Sequence, residues 1–422
     1  MNKIERIIYD VVKSNPKVKL FIRNIYQSFF DALPRRKEYS INPIYIKEGY
    51  FLGFHDQQPF SVDNSIILAN KLYMDFEMPT KDDLIDIGYL KFDGREFKEF
   101  VKIGETSAWN YHKGCRLQWV KEDRVIFNYT HDGRLGSRII DINTKKTDDI
   151  PFPVDSVSSD GMYATSFSYE RLEKFMPGYG YCHHDDISYI DQKAPENTGF
   201  YIVNLETKER RLLVSLKELA SQALQEENAA DSSHYVTHSL FSHDGRFISF
   251  FHRWVGEETR KRYTRLMIYD RENDHLFQVP TGYMVSHYVW NKRHEIVVYC
   301  NFKGVDSHVL LNITDIAKSH KVGYPLLNSD GHQSFLNDRV FVTDTYPDKW
   351  RMSKLFMIDI PSDKVTHLAS VYSPSKFQTK IPTKHIACDL HPRVSRDGKY
   401  VCFDTVKSGK RALAVMSLVT KE

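Results

Sequence analysis

From about residue 42 onward, short alternating apolar and polar runs are separated by Asp-Gly, Asn-Asp and lysine-rich turns, the texture of β-strands joined by tight connections. The clearest unit reads Ser242-His243-Asp244-Gly245-Arg246, an apolar strand over residues 247–252, a loop, and an outer strand over residues 265–270. The last unit copies it, with Ser395-Arg396-Asp397-Gly398-Lys399, a strand over 400–404 and another over 412–418. Seven such units begin near residues 51, 116, 151, 234, 284, 330 and 388. A period of this length with about four strands per unit predicts an all-β, seven-bladed β-propeller spanning residues 41–422. The last unit is one strand short, and residues 42–46 are predicted to close the ring. Two stretches exceed turn length. These insertions are residues 169–198 and residues 213–233, the second with helical composition. Long loops on a rigid scaffold are where binding function tends to sit.

Residues 1–40 differ. Apolar residues recur at helical spacing from Ile4 to Val12 and again from Val18 to Leu33, with Pro16 separating two predicted helices. Neither is a continuous apolar run long enough for a signal peptide or a membrane span, so export by that route is not expected.

Composition changes the picture in two places. The five cysteines (Cys115, Cys182, Cys300, Cys388 and Cys402) are odd in number, widely spaced and without a CxxC pair, which points to a reducing, cytoplasmic setting. The net charge of +3 gives no support to nucleic-acid binding, but the charge is uneven. Residues 1–37 carry nine Lys/Arg against three acids, a surplus of +6, and the remaining residues sum to −3. A basic amphipathic segment of this kind either packs on the main domain or lies on an anionic membrane surface, such as the inner face of the membrane.

The candidate chemistry comes from a register. His238, His287, His332 and His391 each stand three residues before an apolar residue at the start of a unit (Phe241, Trp290, Phe335 and Val394), at intervals of 49, 45 and 59 residues. The first strand of every propeller blade lines the central channel, so the register aims four imidazoles at one mouth. Arg116 continues it in the second unit and Gln57 in the first. Neutral imidazoles on rigid strands suit a divalent transition metal, and Cys388 or Asp389 beside His391 offers a thiolate or a carboxylate to the same ion. A second cluster comprises His55, Trp109-Asn110-Tyr111-His112-Lys113 and His131. There Trp109 and Tyr111 bracket His112 as a candidate sugar-stacking face, while the Asp132-Gly133 turn makes His131 a turn neighbour as well. Tyr179 and Tyr181, flanked by Gly178 and Gly180, sit on a loop able to fold over the same mouth.

Several of these stretches resemble a known group. Gly53-Phe54-His55-Asp56, Arg116-Leu117-Gln118-Trp119, Pro177-Gly178-Tyr179-Gly180-Tyr181, Ser286-His287-Tyr288-Val289-Trp290, Asp330-Gly331-His332 with Thr343-Asp344-Thr345-Tyr346, and Cys388-Asp389-Leu390-His391-Pro392-Arg393 are similar to seven-bladed propeller polysaccharide lyases. The nearer likeness is to ulvan lyases and the more distant to oligogalacturonate lyases. The resemblance runs from about residue 50 to the C-terminus. It implies β-elimination on an acidic, uronic-acid glycan. From the oligogalacturonate lyases it implies a divalent metal, zinc or manganese, held at the motifs around His332 and His391, with His287 as base. The His-Pro-His-Pro of those enzymes reads Asp389-Leu390-His391-Pro392 here, so Asp389 or Cys388 would replace one ligand. From the ulvan lyases it implies a catalytic pair at His112 and His131 with Tyr179 or Tyr181 and Arg116.

The expectation is therefore a metal-containing propeller acting on an acidic oligo- or polysaccharide by lyase chemistry. The alternative is a non-catalytic glycan-binding or scaffold protein in surface-polysaccharide biosynthesis that keeps the metal for stability.

Overall fold

The Ser-x-Asp-Gly turns close β-hairpins in the same way wherever they recur. In the computed structural model Ser242 N donates to Phe247 O and Gly245 N to Ser242 O, and Ser395, Tyr400 and Gly398 repeat the pair of bonds. The serine hydroxyl bonds the following aspartate (Ser242 Oγ to Asp244 Oδ1 2.6 Å, Ser395 Oγ to Asp397 Oδ1 2.7 Å). Gly245 and Gly398 take φ of +74° and +72°, which an L side chain would strain. Each turn joins an inner strand to the second strand of a blade.

The structure describes residues 16–31, 33–74, 77–181, 189–223, 229–257, 261–282, 284–378 and 386–419. The first expected helix and Cys182 lie outside them. Seven antiparallel sheets are arranged as a seven-bladed β-propeller. The inner strands include Gln118–Lys121, Ser232–Phe241, Val285–Trp290, Gln333–Asn337 and Arg393–Val394 in blades two, four, five, six and seven. Blade seven takes its outer strand, Ile44–Glu48, from the start of the chain, pairing with Ala412–Ser417 and closing the ring. Just before it, Tyr39–Ser40 adds a fifth strand to blade six against Lys364–Tyr372. Apolar residues between neighbouring blades form the core, with Phe51, Trp109, Tyr111 and Leu413 shared by blades one, two and seven.

Two features shape the site. In blade one the inner strand is interrupted: Phe51 pairs with Asn70 and Phe60 with Ile67, so residues 52–59 form an excursion opposite just two residues, Leu68 and Ala69, of the partner strand. Its hinge is Gly53 at φ +130°, where a Cβ would lie 2.6 Å from the Lys113 carbonyl carbon. The other feature is the first insertion. It opens with the helix Tyr169–Phe175, capped by Ser168, and is stapled to blade four by Arg171, whose guanidinium donates to the carbonyls of His234, Tyr189, Ile190 and Lys193. In the second insertion the helix Leu216–Gln222 starts at a capping box formed by Ser215 and Glu218.

Candidate metal centre and its surroundings

The inner strands begin irregularly, and that aims the histidines. Pairing slips by a residue between Thr237 and Leu240 in blade four and between Val285 and Tyr288 in blade five. His238, His391 and Arg116, at matching positions, have φ of 54°, 46° and 59°. A bulge of this kind turns one side chain off the pleat, here toward the axis. The excursion in blade one meets them there. The Phe54 ring lies 4.8 Å from that of His238, 5.8 Å from His287, 5.7 Å from His332, 5.0 Å from His391 and 4.6 Å from His55, centre to centre. The four registered histidines thus converge, around an aromatic plug that is itself 2% exposed.

On one side of the plug the rings crowd. His287 and His332 are 4.0 Å apart and His332 and His391 4.2 Å apart. Asp344 organises them: its carboxylate accepts from the backbone N–H groups of His332 (2.7 Å) and His391 (2.9 Å) and lies 2.9 and 3.0 Å from His332 Nδ1. That contact places the His332 proton on Nδ1 and leaves Nε2 with its lone pair outward, the arrangement that orients metal-binding imidazoles. His287 Nδ1 lies 3.1 Å from Asp330 Oδ1, and His55 Nδ1 lies 2.7 Å from the Gln333 carbonyl, to which it donates.

Donor atoms of His332, Asp389 and His391 all fall within 4.8 Å of one another, and all three residues are buried. Neither ring nitrogen of His391 has a hydrogen-bond partner among the described residues. Burial holds the imidazoles of His332 and His391 well below their ordinary range, hence neutral. Burial, with the Asp344 carboxylate nearby, pushes Asp389 up to about 7. An orphaned imidazole, a second with its lone pair fixed outward and a carboxylate short of positive charge fit a divalent cation.

The other expected residues separate into groups. Cys388 faces away, packed with Phe377 and Val406, and burial pushes its thiol up to about 12; Asp389, not Cys388, joins the two histidines. His238 lies across Phe54 from His332 and His391, with Nδ1 2.8 Å from Thr237 Oγ1. His112 is buried beside the centre, Nδ1 3.8 Å from Asp389 Oδ2, and stacks face to face on Tyr179 at 4.5 Å. Glu173 fixes the Tyr179 loop by accepting from Gly178 N and Gly180 N.

His131 does not join His112. It sits at the Asp132-Gly133 hairpin tip, its side chain 69% exposed, beside Asp132. Tyr181 is a core residue, stacked 4.4 Å from Tyr169 and accepting from Asn128 Nδ2. Trp109 and Tyr111 offer no stacking face, since both are 1% exposed and packed against Phe51 and each other. Arg116 is fully engaged: it forms a two-pronged pair with Asp56 (2.8 and 3.0 Å) and contacts Asp155, which also accepts from Lys113 Nζ at 2.6 Å. The bulge that swings Arg116 inward delivers it to these carboxylates.

Phe54, Asp330, Asp344 and Tyr346 carry roles that no spacing in the sequence assigned. Asp344 had a signal. Gln333 pairs with Thr343, so His332 and Asp344 are cross-strand neighbours one step further along the hairpin. Tyr346, 39% exposed, stands 6.4 Å from the His287 ring and 5.7 Å from that of His332 at the edge of the cluster.

No family model matches the chain, and no curated protein matches it. Solved structures do. An oligogalacturonate lyase in complex with manganese is 14% identical, with a TM-score of 0.63, over 92% of this chain and 99% of its own. The fold is that of the oligogalacturonate lyases. A second oligogalacturonate lyase, from Vibrio parahaemolyticus, is 12% identical with a TM-score of 0.58, over 91% of this chain and 94% of its own. At such identities the likeness to oligogalacturonate lyases establishes the architecture, and the chemistry must be argued from the side chains.

Proposed function

We propose that the protein is a metal-dependent lyase that cleaves an acidic, uronic-acid oligosaccharide by β-elimination. The observation that carries this reading is the convergence of His287, His332, Asp389 and His391 at one end of the channel, each of the first two backed by its own carboxylate. His332, Asp389 and His391 would hold the metal, zinc or manganese, which when bound supplies positive charge to neutralise the substrate carboxylate and acidify the adjacent C–H.

The chain's own groups do the rest. Asp330 sits on Nδ1 of His287 and leaves Nε2 as the basic nitrogen, the logic of an oriented general base. In the elimination His287 Nε2 takes the proton from C5 of the uronate. The C–H pair becomes the C4=C5 double bond, and the C4–O bond breaks with its electrons on the departing glycosidic oxygen, which must then be protonated. Tyr346 stands at the exposed edge of the cluster, where the sugar would meet it, and the stacked pair of Tyr179 and His112 walls the Asp389 side. Phe54 closes the channel behind these rings, so the substrate enters from the end where the two insertions leave the blades. The described cysteines are all unpaired thiols, in keeping with a reducing compartment.

The test is metal content by plasma mass spectrometry on untagged protein, followed by screening acidic oligosaccharides for absorbance of an unsaturated uronate. Near-stoichiometric metal lost in both His332→Ala and His391→Ala, with product formed by the wild type and abolished in a metal-replete His287→Ala, is the expected result. A folded wild type without metal, or turnover unaffected by His287→Ala, would overturn the reading.

A further inference from the structure

Among its described side chains, the helix Pro16–Asp31 meets the propeller through Gln27 and Phe30. Phe30 packs edge-on against Trp350 at 5.0 Å, Lys349 Nζ lies 5.3 Å over the Phe30 ring, and Gln27 Nε2 donates to Lys349 O at 3.4 Å. The chain beyond the helix is pinned to the same blade. Arg36 lies over Trp350 and Arg35 over Tyr372, and Tyr39–Ser40 joins the sheet of blade six.

The opposite face is apolar and open. Ile22, Ile25, Tyr26 and Phe29 are 38%, 57%, 45% and 63% exposed, and their spacing puts them on one stripe of the helix. Four large side chains in line make a patch of the kind that marks an interaction surface. In helical register the position of Val18 continues the stripe, while the positions of Lys17 and Lys19 fall on its two flanks. Arg35, Arg36 and Lys37 follow directly and are exposed. The surplus of +6 over residues 1–37 stands against −3 in the rest of the chain.

We infer that this helix is an interfacial anchor that lays Ile22, Ile25, Tyr26 and Phe29 into the headgroup region of an anionic bilayer. The charge selects the occupant: an apolar stripe on a segment with a surplus of +6 is complementary to negatively charged lipid, whereas a second copy of the same basic segment would be repelled. None of the described helices is long and apolar enough to cross a membrane, so the helix lies on the surface rather than spanning it. Attachment through Phe30 and the residue 35–40 strap would hold the propeller against the lipid by the outer edge of blade six. The inference is independent of the chemistry at the histidine end.

Co-sedimentation of the full chain with phosphatidylcholine vesicles, with and without phosphatidylglycerol, tests it, alongside the Ile25→Glu/Phe29→Glu double variant. Both positions are exposed, so the variant keeps the fold, which circular dichroism checks. The expected result is binding to the anionic vesicles at least about tenfold tighter than to neutral ones, weakened by salt and lost in the double variant. Three results would overturn the inference. One is no binding to anionic vesicles, and another is binding that the double variant retains. The third is a dimer in sedimentation velocity that the double variant dissociates, which would make a second copy the occupant.

Discussion

Asp344 faces His332 across one hairpin of blade six and also accepts the backbone N–H of His391 from blade seven, so one carboxylate sets two neighbouring blades. Asp344→Asn keeps the size but offers at most one acceptor oxygen to three donors. It no longer fixes the His332 proton on Nδ1. Metal affinity should fall about 10–100-fold, the usual effect of removing a carboxylate behind a ligand histidine. Competition with a chelator of known affinity measures it, and unchanged affinity would remove Asp344 from the centre.

Asp389 and Cys388 are adjacent in sequence but face different surroundings, one the histidines and the other Phe377 and Val406. Metal content should therefore drop in Asp389→Asn and persist in Cys388→Ala. Because the thiol is buried in an apolar cluster, its truncation should instead cost stability, on the order of 1 kcal/mol. Metal analysis and urea denaturation of the two variants separate the effects; metal lost from Cys388→Ala would reverse the assignment.

How far the site was legible in the sequence follows from what repeats. Histidines at a constant offset from the first apolar residue of each blade could be aligned, and the structure does bring those four together. Phe54 could not be found this way, because it rides on an excursion that only blade one possesses. Trp109 and Tyr111 misled for the opposite reason. Polar neighbours made them look like surface aromatics, yet the Trp109 indole N–H is satisfied by the Asp83 carbonyl, which lets the pair sink into the core. Arg116 kept the register but found Asp56 and Asp155, acids whose approach depends on two other blades.

Those acids carry the next prediction. Burial alone would raise the Asp155 pKa, but Arg116 and Lys113 outweigh it and hold the carboxyl well below its ordinary range. A depressed folded pKa stabilises the protein above the unfolded value of about 3.9, and this contribution is lost as pH falls below it. Asp155→Asn should cost about 3–5 kcal/mol at neutral pH, since Lys113 and Arg116 stay buried with one fewer counter-charge. Denaturation of the wild type and variant against pH checks it, and the gap between them should narrow only at strongly acid pH. A variant as stable as the wild type would show that Asp56 alone balances the pair.

A separate chain of imidazoles in blade four predicts sensitivity at milder pH. Arg265 Nε donates to His252 Nδ1 at 2.9 Å, so His252 carries its proton on Nε2 and donates to His234 Nδ1, also 2.9 Å away; His234 Nε2 in turn donates to Ala229 O. The Arg265–His252 bond requires a neutral His252 and the His252–His234 bond a neutral His234, whereas His234 Nε2 can donate to Ala229 O in either state. Burial lowers His234 to about 4, with Arg171 and Arg265 acting in the same direction, and burial with the neighbouring Arg265 holds His252 well below its ordinary range. Since the unfolded histidines take up protons near 6.5, stability should be full above that value and fall as pH drops from about 6.5 toward 4. At about 1.4 kcal/mol per unit of depression, His234 alone accounts for a loss on the order of 3 kcal/mol. His252→Gln leaves one histidine fewer to charge, so the slope of stability against pH in this window should be shallower than in the wild type, even though the variant starts less stable. Equal slopes in urea titrations across the window would show that the relay does not control acid stability.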